Sequence, residues 1–170
     1  MGPAAVPTAA IAAVNPMFGS SCPSCNPLLP HPLLAAIYNE TWTDDDIINT
    51  ILPTYAGDQA LMNKALPEAC SYQRSDLAVS IVDNTHVDLK SFDFLGYTPL
   101  HIAAWKGLPK VIEAILRKGV DADILTYSDN RTETPLDCYL QKGVRTSQTD
   151  LEVTNLLLHA GANGKAREDA

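Results

Sequence analysis

Between residues 96 and 121 the apolar positions fall into two short runs at helical spacing. In the first, GYTPLHIAAWKG, Leu100, Ala103 and Ala104 mark a narrow apolar stripe. Thr98 is placed to N-cap that helix, its hydroxyl accepting from an otherwise unpaired backbone N–H. Pro99 follows at the first helical position, where a missing N–H costs nothing and the fixed φ helps. Gly107 ends the helix in a left-handed conformation. Pro109 restarts the chain, and Val111, Ile112, Ile115 and Leu116 recur until Gly119. The pattern predicts two helices joined by a tight turn. Each is shorter than the ~12–15 residues that make an isolated helix even marginal in water. Each therefore needs neighbours to cover its stripe.

The same pattern returns on both sides. Upstream, Pro32-Leu33-Leu34-Ala35-Ala36-Ile37-Tyr38 parallels Pro99 to Trp105, and Ile47-Ile48-Asn49-Thr50-Ile51-Leu52 parallels Val111 to Leu116 position for position. Asp44, Asp45 and Asp46 open that second helix, where carboxylates favour the positive end of the helix dipole. Pro53 and Gly57 end the unit. A degenerate unit follows, with Ala60, Leu61, Ala65 and Leu66 on one helix and Leu77 to Val82 on another. Pro67 either kinks the first helix or starts a new segment. Asp76 is expected to cap the second, and Asn84 to end it in a left-handed conformation. Downstream, Thr134-Pro135-Leu136-Asp137 parallels Thr98-Pro99-Leu100-His101, Gly143 parallels Gly107, and Val153, Leu157, Leu158, Gly161 and Asn163 parallel Val111 to Asp121. The offset grows from 36 residues at the turns (98 to 134) to 42 at the second helices (111 to 153), which predicts longer loops near 127–131 and 144–149. Tyr139 and Leu140 stand where Ala103 and Ala104 do. Their bulk would obstruct a further unit, so this one is expected to be terminal.

The turn, the TPLH motif at Thr98-Pro99-Leu100-His101, the small pair Ala103-Ala104, Gly107, Ile115-Leu116 and Gly119-Val120-Asp121 together closely resemble an ankyrin repeat. The resemblance covers residues 31–164 and implies an all-α solenoid of about four stacked helix pairs, at about 31–57, 58–90, 91–124 and 125–164. Three or more units are what such an array needs to stand. It further implies that Thr98 and His101 are scaffold, the histidine ring bonding the threonine hydroxyl and nearby backbone. Partners would bind the concave side made of turn tips and first helices. The variable positions there are Phe94, Leu95, Tyr97, Trp105 and Lys106 in the third unit, and Asn130, Arg131 and Glu133 in the last. Phe94, Leu95, Tyr97 and Trp105 would form an aromatic patch with a polar surround, the composition of an interface hot spot. The competing reading folds Phe94 or Leu95 back onto the second unit and packs Trp105 under the first. Trp42 is a second exposed-aromatic candidate.

Composition narrows the function classes. With 20 acidic residues against 12 basic ones the chain carries a net charge of −8, which argues against nucleic-acid binding. No apolar run is long enough to cross a membrane. Residues 1–30 contain six of the twelve prolines and are expected to form a disordered or loosely docked tail; residues 165–170 are a polar C-terminal tail. The N-terminus has no basic region ahead of its apolar residues and does not read as a signal peptide, nor does position 6, a valine, suit myristoylation. Without secretion, the sequons at Asn39 and Asn130 are chance. An intracellular monomer is expected, in the cytoplasm or alternatively the nucleus.

Cys22-Pro23-Ser24-Cys25 has the spacing of a redox pair or half a zinc site, but Cys70 and Cys138 stand alone and no second half exists. The chain holds no nucleophile elbow, phosphate loop or HExxH motif. A Cys138 nucleophile with His101 or His159 as base is the enzymatic alternative, weakened because Cys138 takes the core position of Ile102. The sequence reading is a protein–protein interaction module without cofactor or metal. The alternatives are a redox- or metal-responsive protein using Cys22 and Cys25 and, last, an enzyme.

Overall fold

The computed structural model describes residues 31–127, 132–141 and 148–162, and among these all regular structure is helical. Inner helices α1 (Pro32–Tyr38), α4 (Gln59–Ser71), α6 (Pro99–Lys106) and α8 (Pro135–Leu140) pack each on the next. The outer layer begins with α2 (Asp44–Asp46), a π-helical turn (Ile47–Ile51) and α3 (Leu52–Tyr55), and continues with α5 (Ser75–Asn84), α7 (Pro109–Arg117) and α9 (Gln148–His159). One apolar core runs through both layers from Leu33 to Ala162. The small pair Ala103 and Ala104 is wholly buried, because side chains of one carbon let α6 approach α4 and α8 closely.

Prolines set four of the helix starts. Pro32, Pro99, Pro109 and Pro135 each occupy the first helical turn. Pro53 acts differently, because it lies within the outer run of the first unit. It has no N–H to give the carbonyl of Asn49, and its ring crowds that oxygen. The backbone widens by one residue just ahead of it, and the Leu52 N–H reaches back to the Ile47 carbonyl. The added residue rotates the face, so the parallel with Val111–Leu116 is not kept position by position. Leu52 is buried whereas Leu116 is half-buried, and Ile48 is half-buried whereas Ile112 is buried.

The degenerate second unit is joined to the first by Arg74. Helix α4 runs unbroken through Pro67 and ends in a Schellman turn, with Gln73 at φ 59° as its left-handed residue. The Arg74 N–H bonds the Ala69 carbonyl and the Gln73 N–H bonds that of Cys70. This turn aims the Arg74 guanidinium at the first unit, where it donates to the carbonyls of Ile37 (2.8 Å), Asn39 (2.7 Å) and Trp42 (2.8 Å) and to Asp44 Oδ1 (3.0 Å). The other oxygen of Asp44 accepts from the Leu77 N–H at 3.2 Å. The expected cap at Asp76 is therefore supplied from another unit, and Asp76 instead pairs with Lys110. The three-aspartate run is not simply solvated charge. Asp46 closes a capping box with Thr43, whose hydrogen bonds hold that carboxyl below its ordinary range, and Asp44 is an inter-unit ligand. Asn84 stays within its helix, and Thr85 ends α5 in an extended conformation with its hydroxyl on the Ile81 carbonyl.

Turns stack as well as helices. The Tyr127 N–H bonds the Gly96 carbonyl at 2.8 Å, and the Thr126 N–H bonds the Glu133 carbonyl at 3.0 Å. At the last unit, Tyr139 does not stand out as an obstruction. It is buried against Gly107 and its hydroxyl bonds Asp150, while Leu140 is exposed. Residues 1–30, Gly143, Asn163 and 165–170 lie outside the described residues.

Replacing Arg74 by Met is expected to lower unfolding stability by about 2–4 kcal/mol, because three carbonyls and a carboxylate lose their donor. Urea denaturation measures it; a loss below that of an ordinary surface change would remove Arg74 as the clasp. At Gly96 a Cβ would stand 1.8 Å from the Tyr127 carbonyl oxygen in a backbone at φ 83°. Gly96→Ala should cost about 2–4 kcal/mol, whereas Gly107→Ala, which meets nothing closer than 4.0 Å, should cost only the ~1–2 kcal/mol of its positive φ. Equal losses at the two glycines would show that turn stacking contributes nothing.

Candidate protein-binding surface

The turn that begins the third unit is organised by Asp93. Its Oδ1 accepts from the N–H groups of Leu95 (2.9 Å) and Tyr97 (2.8 Å), and its own N–H bonds the Tyr97 carbonyl (2.9 Å). The closed turn directs Leu95 and Tyr97 towards the end of α6. There a groove of about 360 Å³ is lined by Leu95, Tyr97, Ile102, Trp105 and Lys106, with Asp93 at the turn and Ser71 of the second unit opposite. Four of the sequence candidates, Leu95, Tyr97, Trp105 and Lys106, thus meet in one concavity. Phe94 is beside them but not in the groove, at the turn tip and 93% exposed. It does not fold back on the second unit, and Trp105, 44% exposed, is not covered by the first.

Glu133 is a different case. Although expected at the surface, it is 8% exposed. Its N–H bonds Thr126 Oγ1 (3.0 Å), its carbonyl serves Thr126 and His101, and its carboxylate accepts from Gln141 Nε2 (2.6 Å). A residue so engaged holds the turn of the last unit and offers no contact outward. Glu133 keeps the place of Tyr97, one residue ahead of the capping threonine, but its N–H is taken up within the turn by Thr126 and its carboxylate by Gln141. Asn130 and Arg131 lie outside the described residues. Trp42 is half-buried against the core, and its carbonyl belongs to the Arg74 clasp. The Asn39 amide oxygen is taken by the backbone and hydroxyl of Thr41.

Sequence reasoning passed over four members of this surface. Asp93 was legible as an Asx turn ahead of Gly96. Ile102 precedes Trp105 by one helical turn, and so shares its face. The Phe92 and Tyr127 rings, 5.8 Å apart and tilted by 44°, come together only because adjacent turns stack. No local signal announces that pair.

His101, at the floor of the groove, is scaffold. Its Nδ1 accepts from the Thr98 N–H (3.3 Å) and lies 2.8 Å from the Thr98 hydroxyl. Nε2 therefore carries the ring hydrogen and donates it to the Glu133 carbonyl (3.0 Å) of the next unit. Burial holds the imidazole below its ordinary pKa, so the neutral ring is the folded form. The buried Cys138 thiol is pushed up to about 12 by desolvation and by the neighbouring Glu133 carboxylate. Burial does the same to Cys70. Neither is a thiolate nucleophile at neutral pH, and both ring nitrogens of His101 are already engaged.

The sign of the pH effect follows. A histidine with a lowered folded-state pKa binds its proton more readily when unfolded. Its stabilising contribution is complete above about pH 6.5 and is lost as pH falls from there towards the lowered value. Urea midpoints should fall between pH 7.5 and 5, and the fall should shrink in His101→Gln, itself less stable at both. His31, also lowered by burial, adds to the slope with the same sign, so His31→Asn serves as the control. An unchanged slope in His101→Gln would contradict a buried neutral ring.

The ankyrin-repeat family model matches residues 95–128. A stretch of 68 residues, 39% of this chain, is 35% identical to alpha-latrotoxin-Lg1a of Latrodectus geometricus, and spans 5% of that protein's length. The family match begins at the groove turn, takes in α6 and α7, and ends at the next stacked turn. Repeats of this family are in general protein-interaction modules. Residues 95–128 match the ankyrin repeat, and the described helices form an all-α solenoid consistent with it.

Proposed function

We propose that this protein is an adaptor or regulatory ankyrin-repeat protein, intracellular and monomeric, that holds a protein partner against its turn tips and inner-helix face. The observation that carries the reading is the groove beside α6. There Leu95, Tyr97 and Trp105 converge around Ile102, with Phe94 projecting at the tip and Lys106 and Asp93 at the margins. Large aromatic side chains held by a rigid scaffold lose little entropy on binding, and a polar surround excludes water from them. The scaffold positions support this division. Thr98, His101 and Glu133 satisfy one another within the stack, leaving the aromatic positions to recognition.

Among the described residues no helix is long and apolar enough to cross a membrane. The latrotoxin match spans a small part of a much longer protein, and the toxin's action is not carried over. Asn130 and Arg131 remain part of the proposed surface, beyond the described residues.

An affinity pull-down compares wild type with Trp105→Ala and Tyr97→Ala, circular dichroism showing all three folded. Each substitution should weaken retention of the bound partner about 10–30-fold, the range of a ~1.4–2 kcal/mol hot spot. Equal retention by all three would move the binding face away from this groove.

A further inference from the structure

Charge is divided unevenly between the two sides of the stack. On the outer side Lys110 pairs with Asp76, and Arg117 and Lys118 pair with Asp83. Between the first two units, Arg74 of the second is taken by Asp44 of the first. The turn segments 86–97 and 120–127 carry four aspartates, Asp88, Asp93, Asp121 and Asp123, and Lys90 as their one lysine or arginine. Asp88, Asp93 and Asp121 accept hydrogen bonds from backbone N–H groups of their own turns. Those bonds hold each carboxylate in place without cancelling its charge. Among the described residues these three form no salt bridge.

The same segments expose aromatic surface. Phe92 and Tyr127 form their tilted pair at 5.8 Å, with Phe94 and Leu95 next in the turn. Ring faces beside fixed carboxylates attract cations, through the ring quadrupole and through direct Coulomb interaction. The groove itself differs. Lys106 in its wall disfavours a second cation there, while Leu95, Ile102 and Trp105 favour an apolar group.

We infer that the partner binds with a basic segment, an apolar anchor residue seated in the Trp105 groove and flanking lysine or arginine side chains over the Phe92–Tyr127 tips. The inference rests on the proposed binding surface and names the chemistry that surface selects. The net charge of −8 acts in the same direction at longer range, speeding encounter with a cationic chain at low salt.

The test is a selection of phage-displayed random 12-residue peptides (a length of roughly 40–43 Å extended) on the full-length wild type, with folded Trp105→Ala as the counter-bait. The expected peptides combine an aliphatic or aromatic residue with lysine and arginine. A synthetic representative should bind about tenfold more weakly when salt rises well beyond physiological strength, where surface charges are screened within about 3 Å. It should also bind about tenfold more weakly to Asp88→Asn, Asp93→Asn, Asp121→Asn combined. Asparagine can still accept the turn hydrogen bonds, and an unchanged melting temperature confirms that the turns survive. Enrichment of acidic or uncharged peptides that still need Trp105 would overturn the basic partner and leave the surface standing. Peptides held equally by Trp105→Ala would overturn both. A selection that enriches nothing would overturn the basic-segment inference.

Discussion

Every helix here is too short to persist alone, so the fold depends on each unit being covered by the next. The longest described helix, α4, has 13 residues, and α6 has 8. Their stability comes from packing one apolar stripe onto another and from hydrogen bonds that cross between units. Three such links recur along the stack. Arg74 reaches from the second unit into the first, the Tyr127 N–H reaches back to Gly96, and the His101 ring donates to the Glu133 carbonyl. Each satisfies a backbone carbonyl that a lone unit would leave to water.

These links explain why the second unit can lack the TPLH turn and still belong to the stack. The usual capping threonine and bridging histidine are missing there. Asp58 caps α4 in the threonine's stead, the half-buried Arg74 aimed by the Schellman turn at Gln73 makes the cross-unit bonds, and the carboxylate of Asp44 caps α5 from outside. The geometric requirement is unchanged: a donor must cross the gap between neighbouring units. Different chemistry meets it. The cost is a non-glycine residue at positive φ, which the surrounding helix ends hold in place.

Recognition and stability are separated in space for the same reason. Groups that must be satisfied are turned inward, where His101 is neutral and Glu133 is bound on every side. The outer helices match their cations to carboxylates in exposed pairs, each worth at most about 1 kcal/mol. The turn tips and the groove beside α6 keep exposed aromatic surface and carboxylates that brace their own turns. The proposed interaction surface is what remains after the stack has met its own demands.

The helices between residues 98 and 119 were legible because their structure is locally encoded. Thr98, Pro99 and Gly107 act within their own helix, and the apolar period of Val111 to Leu116 shows which face is buried. The groove was legible for a related reason, since Leu95, Tyr97, Trp105 and Lys106 lie within twelve residues of one another. What the sequence could not display was any feature made by two distant segments. Asp44 looked like one acid among three until Arg74 stood 3.0 Å away. Asn84 and Asp76 looked like a stop and a cap, but a cross-unit carboxylate and Thr85 hold those ends. Glu133 looked exposed because its partners Thr126, Gln141 and His101 come from other segments of the chain. By itself the sequence determined where most helices lie, their faces in the third unit and the repeat there, all products of short-range sterics and period. Which charges are buried, which rings meet and which turns stack were decided only by tertiary structure, because those energies depend on distances between residues far apart in the chain.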